Sequence, residues 1–272
     1  MKVTFVTVCY KTPELIRMLL QGVQDAKMSF EFEYILVNNN PGDATKAMVE
    51  ENFPWVAYVD APGNVGFGAG NNIAFRKATG DYVMLVNPDL TIFPGEMEKL
   101  LVYADDRTDV GFFGPKLLNP NRTLQRTFTR LPTPMIPLYR RTSLGKLPFG
   151  KKAVENYLMM DQDGTMALDV DGLFGAAILI RATALADVGH FDERFFMYFE
   201  DIDLCRRAWE KGWKVRYTPV AEFVHYHQRE SDVKRPWQVL SNRTSREHIK
   251  SAWRYFVKYW GKAEPRKNGS VA

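Results

Sequence analysis

Residues 191–207 read FDERFFMYFEDIDLCRR, which brings Asp192, Glu193, Glu200, Asp201 and Asp203 up against Phe191, Phe195, Phe196, Tyr198 and Phe199. A surface helix separates its acids and its apolar residues onto opposite faces. Here the rings crowd directly ahead of the carboxylates. A carboxylate beside desolvating rings has its pKa raised toward the range of a general base, and aromatic rings are natural walls for a sugar or a nucleobase. The plainer reading is structural: Asp201 caps the helix DLCRRAWEKG, and Asp203 pairs with Arg206 or Arg207 at helical spacing. That reading accounts for Asp203 and leaves the aromatics unexplained.

Three other groups carry chemistry. Asn87-Pro88-Asp89 ends an apolar run. A carboxylate at the lip of a sheet can hold a hard divalent cation, although Asn-Pro-Asp is also good turn chemistry. GNVGFGAGNN (63–72) is a glycine loop running into a helix, where backbone can approach an anion closely. Its spacing is neither the dinucleotide fingerprint nor a Walker A motif, and a tight loop packed on a sheet is the simpler alternative. His225 and His227 alternate on a strand-like segment and so share one face, as metal ligands, phosphate contacts or half-buried structural residues.

These groups need elements to position them. VTFVTVCY (3–10), FEYILVNNN (32–40), VAYVDA and DYVMLVNPD (81–89) read as buried strands. Helical patterns start at Pro13, at about 44–53, within the glycine loop, and at PGEMEKLLVYADD, which precedes the strand VGFFGPKLL. Alternation of this kind predicts a mostly parallel sheet covered by helices on both faces. Ligands then bind outside the carboxyl ends of the strands, where Asn38–Asn40 and Asn87–Asp89 fall. WKVRYTP and AEFVHYH add two further strands.

The chain has 272 residues, is 46% hydrophobic and 25% charged, and carries a net charge of +4. One large domain, with or without a subdomain, fits that length. No apolar run reaches the roughly 20 residues of a membrane span, and the start reads as a strand, not a leader. Two cysteines without metal spacing predict a reduced, cytoplasmic setting. The charge is uneven. Asn119 to Lys152 contains no Asp or Glu but eight Lys and Arg, and the rest of the chain is mildly acidic. Residues 119–168, rich in proline and basic residues, predict a long loop with short elements inside it. Near the end, SNRTSREHIKSAWRYFVKYWGK predicts a basic amphipathic helix. Its partner is an anionic membrane surface at the cytoplasmic face, met by Trp253, Tyr255, Phe256, Tyr259 and Trp260, or else the domain itself or a second subunit, as in a homodimer. The basic loop lacks the interleaved aromatics of a nucleic-acid platform, so no nucleic-acid partner is expected.

The order of these blocks resembles family 2 glycosyltransferases of the GT-A fold, in particular the bacterial rhamnosyltransferase-like branch. VTFVTVCY is similar to the family's first strand, VNNNPGDAT to its V-D-N-x-S-x-D-G-T turn, and GNVGFGAGNNIAFRKATGDYVMLVNPD to its glycine segment and metal motif. DGLFGAAILIRATALADVGHFDERFFMYFEDIDLCRRAWEKGW is similar to its acceptor-side block, and PVAEFVHYHQRES to its closing histidine motif. The resemblance implies a GT-A domain over 1–235, with 119–168 as an acceptor-side insertion, and a C-terminal helix and tail over 236–272. It implies that Asp89, with His225 facing the metal or diphosphate, holds Mg²⁺ or Mn²⁺ on the phosphates of a dTDP- or UDP-linked sugar. It further implies Asp201 as general base supported by Glu200, a nucleotide end lined by Thr7, Tyr10, Asn38, Asn39, Gly66, Phe67, Asn72 and Asn87, and a sugar or acceptor pocket around Gly175, Phe196, Tyr198 and Phe199. The expected reaction is inverting transfer of a hexose, with rhamnose favoured, to a glycan or lipid-linked acceptor in cell-surface polysaccharide synthesis. Asn38 stands where the family has aspartate, Pro41 where it has serine, and Asn87 where many relatives carry the first aspartate of D-x-D. The competing readings are a sugar-phosphate nucleotidyltransferase, which would want a basic glycine-rich loop after the first strand, and a binding module without turnover.

Overall fold

The computed structural model describes residues 1–226 and 243–268. His227 and the rest of the closing motif through Ser231, like the expected boundary at 235, lie outside the described residues. In chain order the elements are β1 (Lys2–Cys9), α1 (Pro13–Asp25), β2 (Glu31–Asn38), α2 (Thr45–Asn52), β3 (Val56–Asp60), α3 (Phe67–Phe75), β4 (Tyr82–Val86), β5 (Leu90–Thr91), α4 (Glu96–Asp105), β6 (Val110–Leu118), β7 (Leu124–Gln125) and β8 (Phe128–Thr129). There follow α5 (Ile136–Tyr139), α6 (Pro148–Tyr157), β9 (Leu168–Asp169), β10 (Gly172–Leu173), β11 (Ala177–Arg181), α7 (Ala182–Val188), α8 (Glu200–Glu210), β12 (Lys214–His225) and α9 (Arg243–Lys258).

The main sheet runs β3-β2-β1-β4-β11-β6-β12-β5. β1 pairs parallel with β2 and β4, β2 with β3, and β6 with β12. β11 runs against both of its neighbours, so the six long strands point one way and β11 points the other. Both faces are buried. Val3 and Phe5 of β1, with Tyr82, Met84 and Val86 of β4, pack under α1, α2 and α4. Val6, Val83 and Leu85 pack under α3, α7 and α8. The two-residue period of the strands therefore feeds two separate cores. The expected pair of strands WKVRYTP and AEFVHYH is one strand, β12, whose register shifts between Thr218 and Glu222.

Residues 119–168, expected as a long loop with short elements inside it, do hold such elements. The segment carries β7, β8, α5, α6 and the start of β9. Pro148 opens α6 at its first turn, and Tyr157 at its end is buried. Arg130 clamps the turn beyond α6, donating to the Asn156 carbonyl at 2.6 Å and to Asp161. Helical periodicity was hard to see there because Pro148, Gly150 and the Lys151–Lys152 pair blur the apolar stripe.

α9 packs on the domain. Ala252, Tyr255 and Tyr259 join Phe195, Phe199 and Ile202 in a third apolar cluster. The expectation that all five C-terminal aromatics meet a membrane is therefore wrong for Tyr255 and Tyr259, which are 1% and 6% exposed, whereas Trp253 and Trp260 are 66% and 85% exposed. An ionic cluster ties the seam. Asp203 of α8, fully buried, accepts from Arg207 Nε at 2.9 Å, from Tyr259 Oη at 2.8 Å and from Lys258 Nζ. Removing one member of a buried pair strands the others without a counter-charge. Asp203→Ala is therefore expected to lose about 3–5 kcal/mol in urea denaturation at neutral pH. A loss within the range of an exposed ion pair would show that the cluster does not hold α9.

Candidate active site

The candidate site forms where the chain leaves β4 and enters β11. Asp201, in the first turn of α8, accepts the Gly175 N–H at 3.0 Å and the Ile202 N–H at 2.8 Å. One residue on, the Ala176 carbonyl accepts the Asn87 N–H at 2.9 Å. A strap of two residues thus links Asp201 to the Asn87-Pro88-Asp89 turn. The strap is tightly packed at Gly175: a Cβ there would stand 3.0 Å from the Phe67 ring, which would have to give by a few tenths of an ångström, and 3.6 Å from Asp201 Cβ.

At the other end, Asp89 Oδ1 lies 3.1 Å from His225 Nε2, and His225 Nδ1 lies 2.6 Å from Gln125 Oε1. The Asp89 carbonyl also receives the Tyr226 N–H. The antiparallel pairing of β5 with β12 sets His225 opposite Leu90 and so brings it beside Asp89. A carboxylate and an imidazole oriented by a third polar group suit a divalent cation of the Mg²⁺–Mn²⁺ kind. Among the described residues no third His, Cys, Asp or Glu joins them. Asn87 sits half-buried at the same lip.

Asp201 looks into a pocket of roughly 420 Å³, counting its open mouth, whose walls come from three parts of the chain. Pro132, Ile136, Pro137, Arg140 and Tyr157 belong to the insertion, Phe174, Tyr198 and Phe199 to the α8 approach, and His248 to α9. Burial pushes the Asp201 carboxyl above its ordinary range, against the pull of the Gly175 and Ile202 N–H groups and of the Arg140 guanidinium. Glu200 is pushed much further up, first by burial and then by the Asp201 charge. It is 4% exposed, and its Oε2 has no hydrogen-bond partner among the described residues. Tyr198 and Phe199, which carry the chain into α8, both adopt left-handed backbone, φ 71° and 69°. Two bulky residues in that region store strain of about 1–3 kcal/mol each, and they aim the acids that follow.

The sequence-based nucleotide residues divide. Tyr10 is 42% exposed at the end of β1. Thr7 is corrected: it is fully buried, and its hydroxyl is engaged with Tyr34 Oη at 2.7 Å and the Val86 carbonyl at 2.8 Å. Asn72 is also corrected. Its amide bridges to the Phe191 backbone in both directions and to Glu193, so it pins α3 to the acidic segment. Asn38, fully buried, donates to the Asn40 carbonyl, Asp43 and Tyr58 and accepts the Asn40 N–H at 2.9 Å, which leaves its side chain enclosed. Asn39 donates to the Gly66 carbonyl at 2.9 Å. Gly66, at φ 90°, lies directly under the Phe196 carbonyl, which receives the Phe67 N–H, so Gly66 and Phe67 hold the aromatic segment rather than an anion. Gln125, Arg140, Tyr157 and His248 were not visible as site residues. They sit in stretches without a motif, and only the fold brings them in.

Comparison with known proteins agrees with this geometry. The model for Glycosyl transferase family 2 matches residues 4–168. The N-acetylglucosaminyl-diphospho-decaprenol L-rhamnosyltransferase of Mycobacterium tuberculosis is 28% identical over 204 residues, 71% of this chain and 66% of that protein. The rhamnosyltransferase WbbL of Escherichia coli is 24% identical over 82% of each chain. The fold is similar to that of the mannosyltransferase PcManGT of Pyrobaculum calidifontis, solved with GDP-Man and Mn²⁺, with TM-score 0.61, 15% identity and coverage of 98% of this chain and 67% of that one. It is also similar to Staphylococcus aureus TarS 1–349 in complex with UDP, with TM-score 0.57, 17% identity and coverage of 82% and 60%.

The state of Glu200 can be read from stability. Its pKa in the folded chain lies above the unfolded value of about 4.3. The native state therefore holds the proton more tightly, and ionising Glu200 costs stability as pH rises above that value. Glu200→Gln never ionises, so it should match or exceed the wild-type Tm at pH 8, with the gap closing as pH falls toward about 4. Thermal denaturation across that range in which the wild type is the more stable at high pH would rule out a strained, buried carboxyl.

Proposed function

Because the chain belongs to glycosyl transferase family 2, whose model matches more than half of it, we propose that it is an inverting glycosyltransferase that moves a sugar from a nucleotide sugar to a hydroxyl of a glycan or lipid-linked acceptor. One observation carries this reading. A single strap, Gly175–Ala176, hydrogen-bonds to the desolvated Asp201 on one side and to the Asn87-Pro88-Asp89 turn on the other. One strap thus holds both the proton acceptor and the turn that carries the cation-binding carboxylate.

Asp201 is the general base. As the acceptor oxygen attacks the anomeric carbon, its proton passes to Asp201 Oδ, the new C–O bond forms, and the bond to the nucleoside diphosphate breaks on the opposite face, which inverts the centre. The raised pKa of Asp201 suits it to take that proton. Glu200 beneath it keeps the local charge low while it stays protonated, and Phe199 and Tyr198 exclude water. Asp89 and His225 would hold Mg²⁺ or Mn²⁺, and the imidazole ligand favours Mn²⁺. A cation there supplies Lewis-acid stabilisation of the departing diphosphate. Two relatives carry rhamnosyltransferase names, which favours rhamnose from dTDP-rhamnose as the donor, with a UDP-hexose next, and cell-surface polysaccharide synthesis as the setting.

The outer face of α9 supports an anionic membrane surface as a further partner. At about 100° per residue, Ile249, Trp253 and Val257 form one exposed stripe on the side opposite Tyr255, and exposed Trp260 follows just beyond the helix. Arg246 sits within the stripe, and Lys250 and Arg254 lie along one edge of it. Such a helix lies in a bilayer interface with its rings inserted and its cations over anionic headgroups. Among the described residues no helix is long and apolar enough to cross a membrane.

Asp201→Asn should lose at least about 10²-fold in transfer while thermal shifts with nucleoside diphosphates persist. Full turnover in that variant would remove the base assignment. Asp89→Ala should abolish both activity and the Mn²⁺-dependent thermal shift, and a binding module without turnover would show neither activity nor its loss. On vesicles of phosphatidylcholine with phosphatidylglycerol, the protein should cosediment, with Arg246→Gln and Lys250→Gln each weakening binding by about 1 kcal/mol. Binding indifferent to phosphatidylglycerol, or a stable dimer that buries Trp253, would end the membrane reading.

A further inference from the structure

His225 ends a row of hydrogen bonds whose direction is fixed from its far end. The row starts in the turn 119–123 between β6 and β7. Asn121 Oδ1 accepts the Thr123 N–H at 3.1 Å. A backbone N–H only donates, so that oxygen is fixed as an acceptor. The Thr123 hydroxyl lies 2.6 Å from the same oxygen and gives its one proton to it. Toward Asn119, 3.0 Å away, Thr123 Oγ1 can then only accept, which turns the Asn119 amide nitrogen to it. Asn119 Oδ1 is left facing Gln125 and accepts its Nε2–H at 3.3 Å. The other end of the Gln125 amide is therefore the oxygen, and Oε1 lies 2.6 Å from His225 Nδ1. An oxygen at that distance requires the proton on Nδ1. The second ring nitrogen, Nε2, lies 3.1 Å from Asp89 Oδ1, and in the neutral ring it carries the lone pair. His225 is 4% exposed, so packing holds the ring in this orientation.

We infer that Gln125 is a positioning residue for the cation: by accepting from Nδ1 it presents Nε2 as a ligand beside Asp89, and so gives the site a preference for Mn²⁺ over Mg²⁺. The inference rests on the reading that Asp89 and His225 hold the divalent cation, and it adds what orients the imidazole and why that matters for the choice of ion. A carboxylate oxygen and an imidazole lone pair 3.1 Å apart repel each other unless positive charge lies against both, and a divalent cation supplies that charge. A hydrogen-bond acceptor on the far nitrogen also makes the ligand nitrogen more basic. The nitrogen is what separates the two ions, because Mg²⁺ binds through oxygen whereas Mn²⁺ takes an imidazole more readily. Gln125 belongs to β7, where pairing with Leu117 of β6 holds its backbone. The segment 119–168 thus serves both ends of the site, with Gln125 behind the cation ligands and Pro132 to Tyr157 around the Asp201 pocket.

Mn²⁺ titrated into the full chain without nucleotide, followed by water proton relaxation and with Mg²⁺ measured by competition, tests this without turnover. Wild type should bind both ions, Mn²⁺ the more tightly. Gln125→Leu should weaken Mn²⁺ by about 10- to 100-fold and Mg²⁺ by less. Gln125→Glu should keep the wild-type preference, because a carboxylate also accepts the Nδ1 proton. Wild-type Mn²⁺ affinity in Gln125→Leu would overturn the assignment. So would an equal loss for both ions, the mark of a packing role, or a Gln125→Glu variant as weak as Gln125→Leu. Asp89→Ala separates the two claims. Mn²⁺ lost in Asp89→Ala but held at wild-type affinity in Gln125→Leu would fault the positioning role alone. Mn²⁺ bound by Asp89→Ala as by wild type, or not bound by wild type, would fault the cation site itself, and the inference would fall with it.

Discussion

The hydrogen bond from the Gly175 N–H to Asp201 sets the arrangement on which the site depends. It joins a helix from the second half of the chain to the edge of a sheet built in the first half. Residue 175 sits close under its neighbours: a Cβ there would press on the Phe67 ring of α3 at 3.0 Å while only touching Asp201 Cβ at 3.6 Å. A backbone N–H also stabilises the ionised carboxyl, which tempers the rise caused by burial. At Asp201 burial and the Gly175 and Ile202 N–H groups therefore pull the carboxyl in opposite directions, with burial the stronger.

Holding Asp201 there requires strain and a counterweight. The left-handed pair Tyr198–Phe199 turns the chain sharply into α8, and two aromatic residues in that conformation persist only where packing over-determines them. α9 supplies that packing. Tyr255 lies 5.4 Å from Phe199, centroid to centroid, and Ser251 Oγ donates to the Met197 carbonyl at 2.9 Å. The Lys258–Asp203–Arg207 cluster then locks the far side of α8. The C-terminal helix therefore braces the approach to α8, whatever its outer face meets.

Much of this was legible in the chain and some was not, for reasons of range. Continuous β-branched and aromatic apolar runs announced β1, β2, β4 and β6, and the apolar stripe Leu204, Cys205 and Ala208 announced α8, because those signals are local. The reversed direction of β11 was not legible, since Ala177–Arg181 looks the same in either sense. Within the insertion short elements were expected but not located, because Pro148 and Gly150 mask the α6 pattern. At the site, Asp89, Asp201 and His225 were visible by type and by order. Gln125, Arg140 and His248 were not, because each gains its role from a neighbour at least 60 residues away or from a pocket that only the folded chain encloses. Thr7 and Asn72 failed in the opposite way, as polar residues at the right strand and helix whose hydrogen bonds are fully taken up inside the protein.

Asn38 shows why a family position does not carry its role unchanged. An amide there donates to three acceptors, the Asn40 carbonyl, Asp43 at 3.0 Å and the Tyr58 hydroxyl at 2.9 Å. An aspartate would lose those donors and set a second negative charge beside Asp43. The Tyr58 hydroxyl, receiving from Asn38, passes its own proton toward Asp60 Oδ1 at 2.6 Å. The acceptor that relatives offer at the strand end is thus moved outward along a relay, from the closed interior at Asn38 to the exposed rim at Asp60. A base bound at this edge would meet a carboxylate contributed by β3 rather than β2. The amide at 38 thus serves to hold Tyr58 and, through it, Asp60.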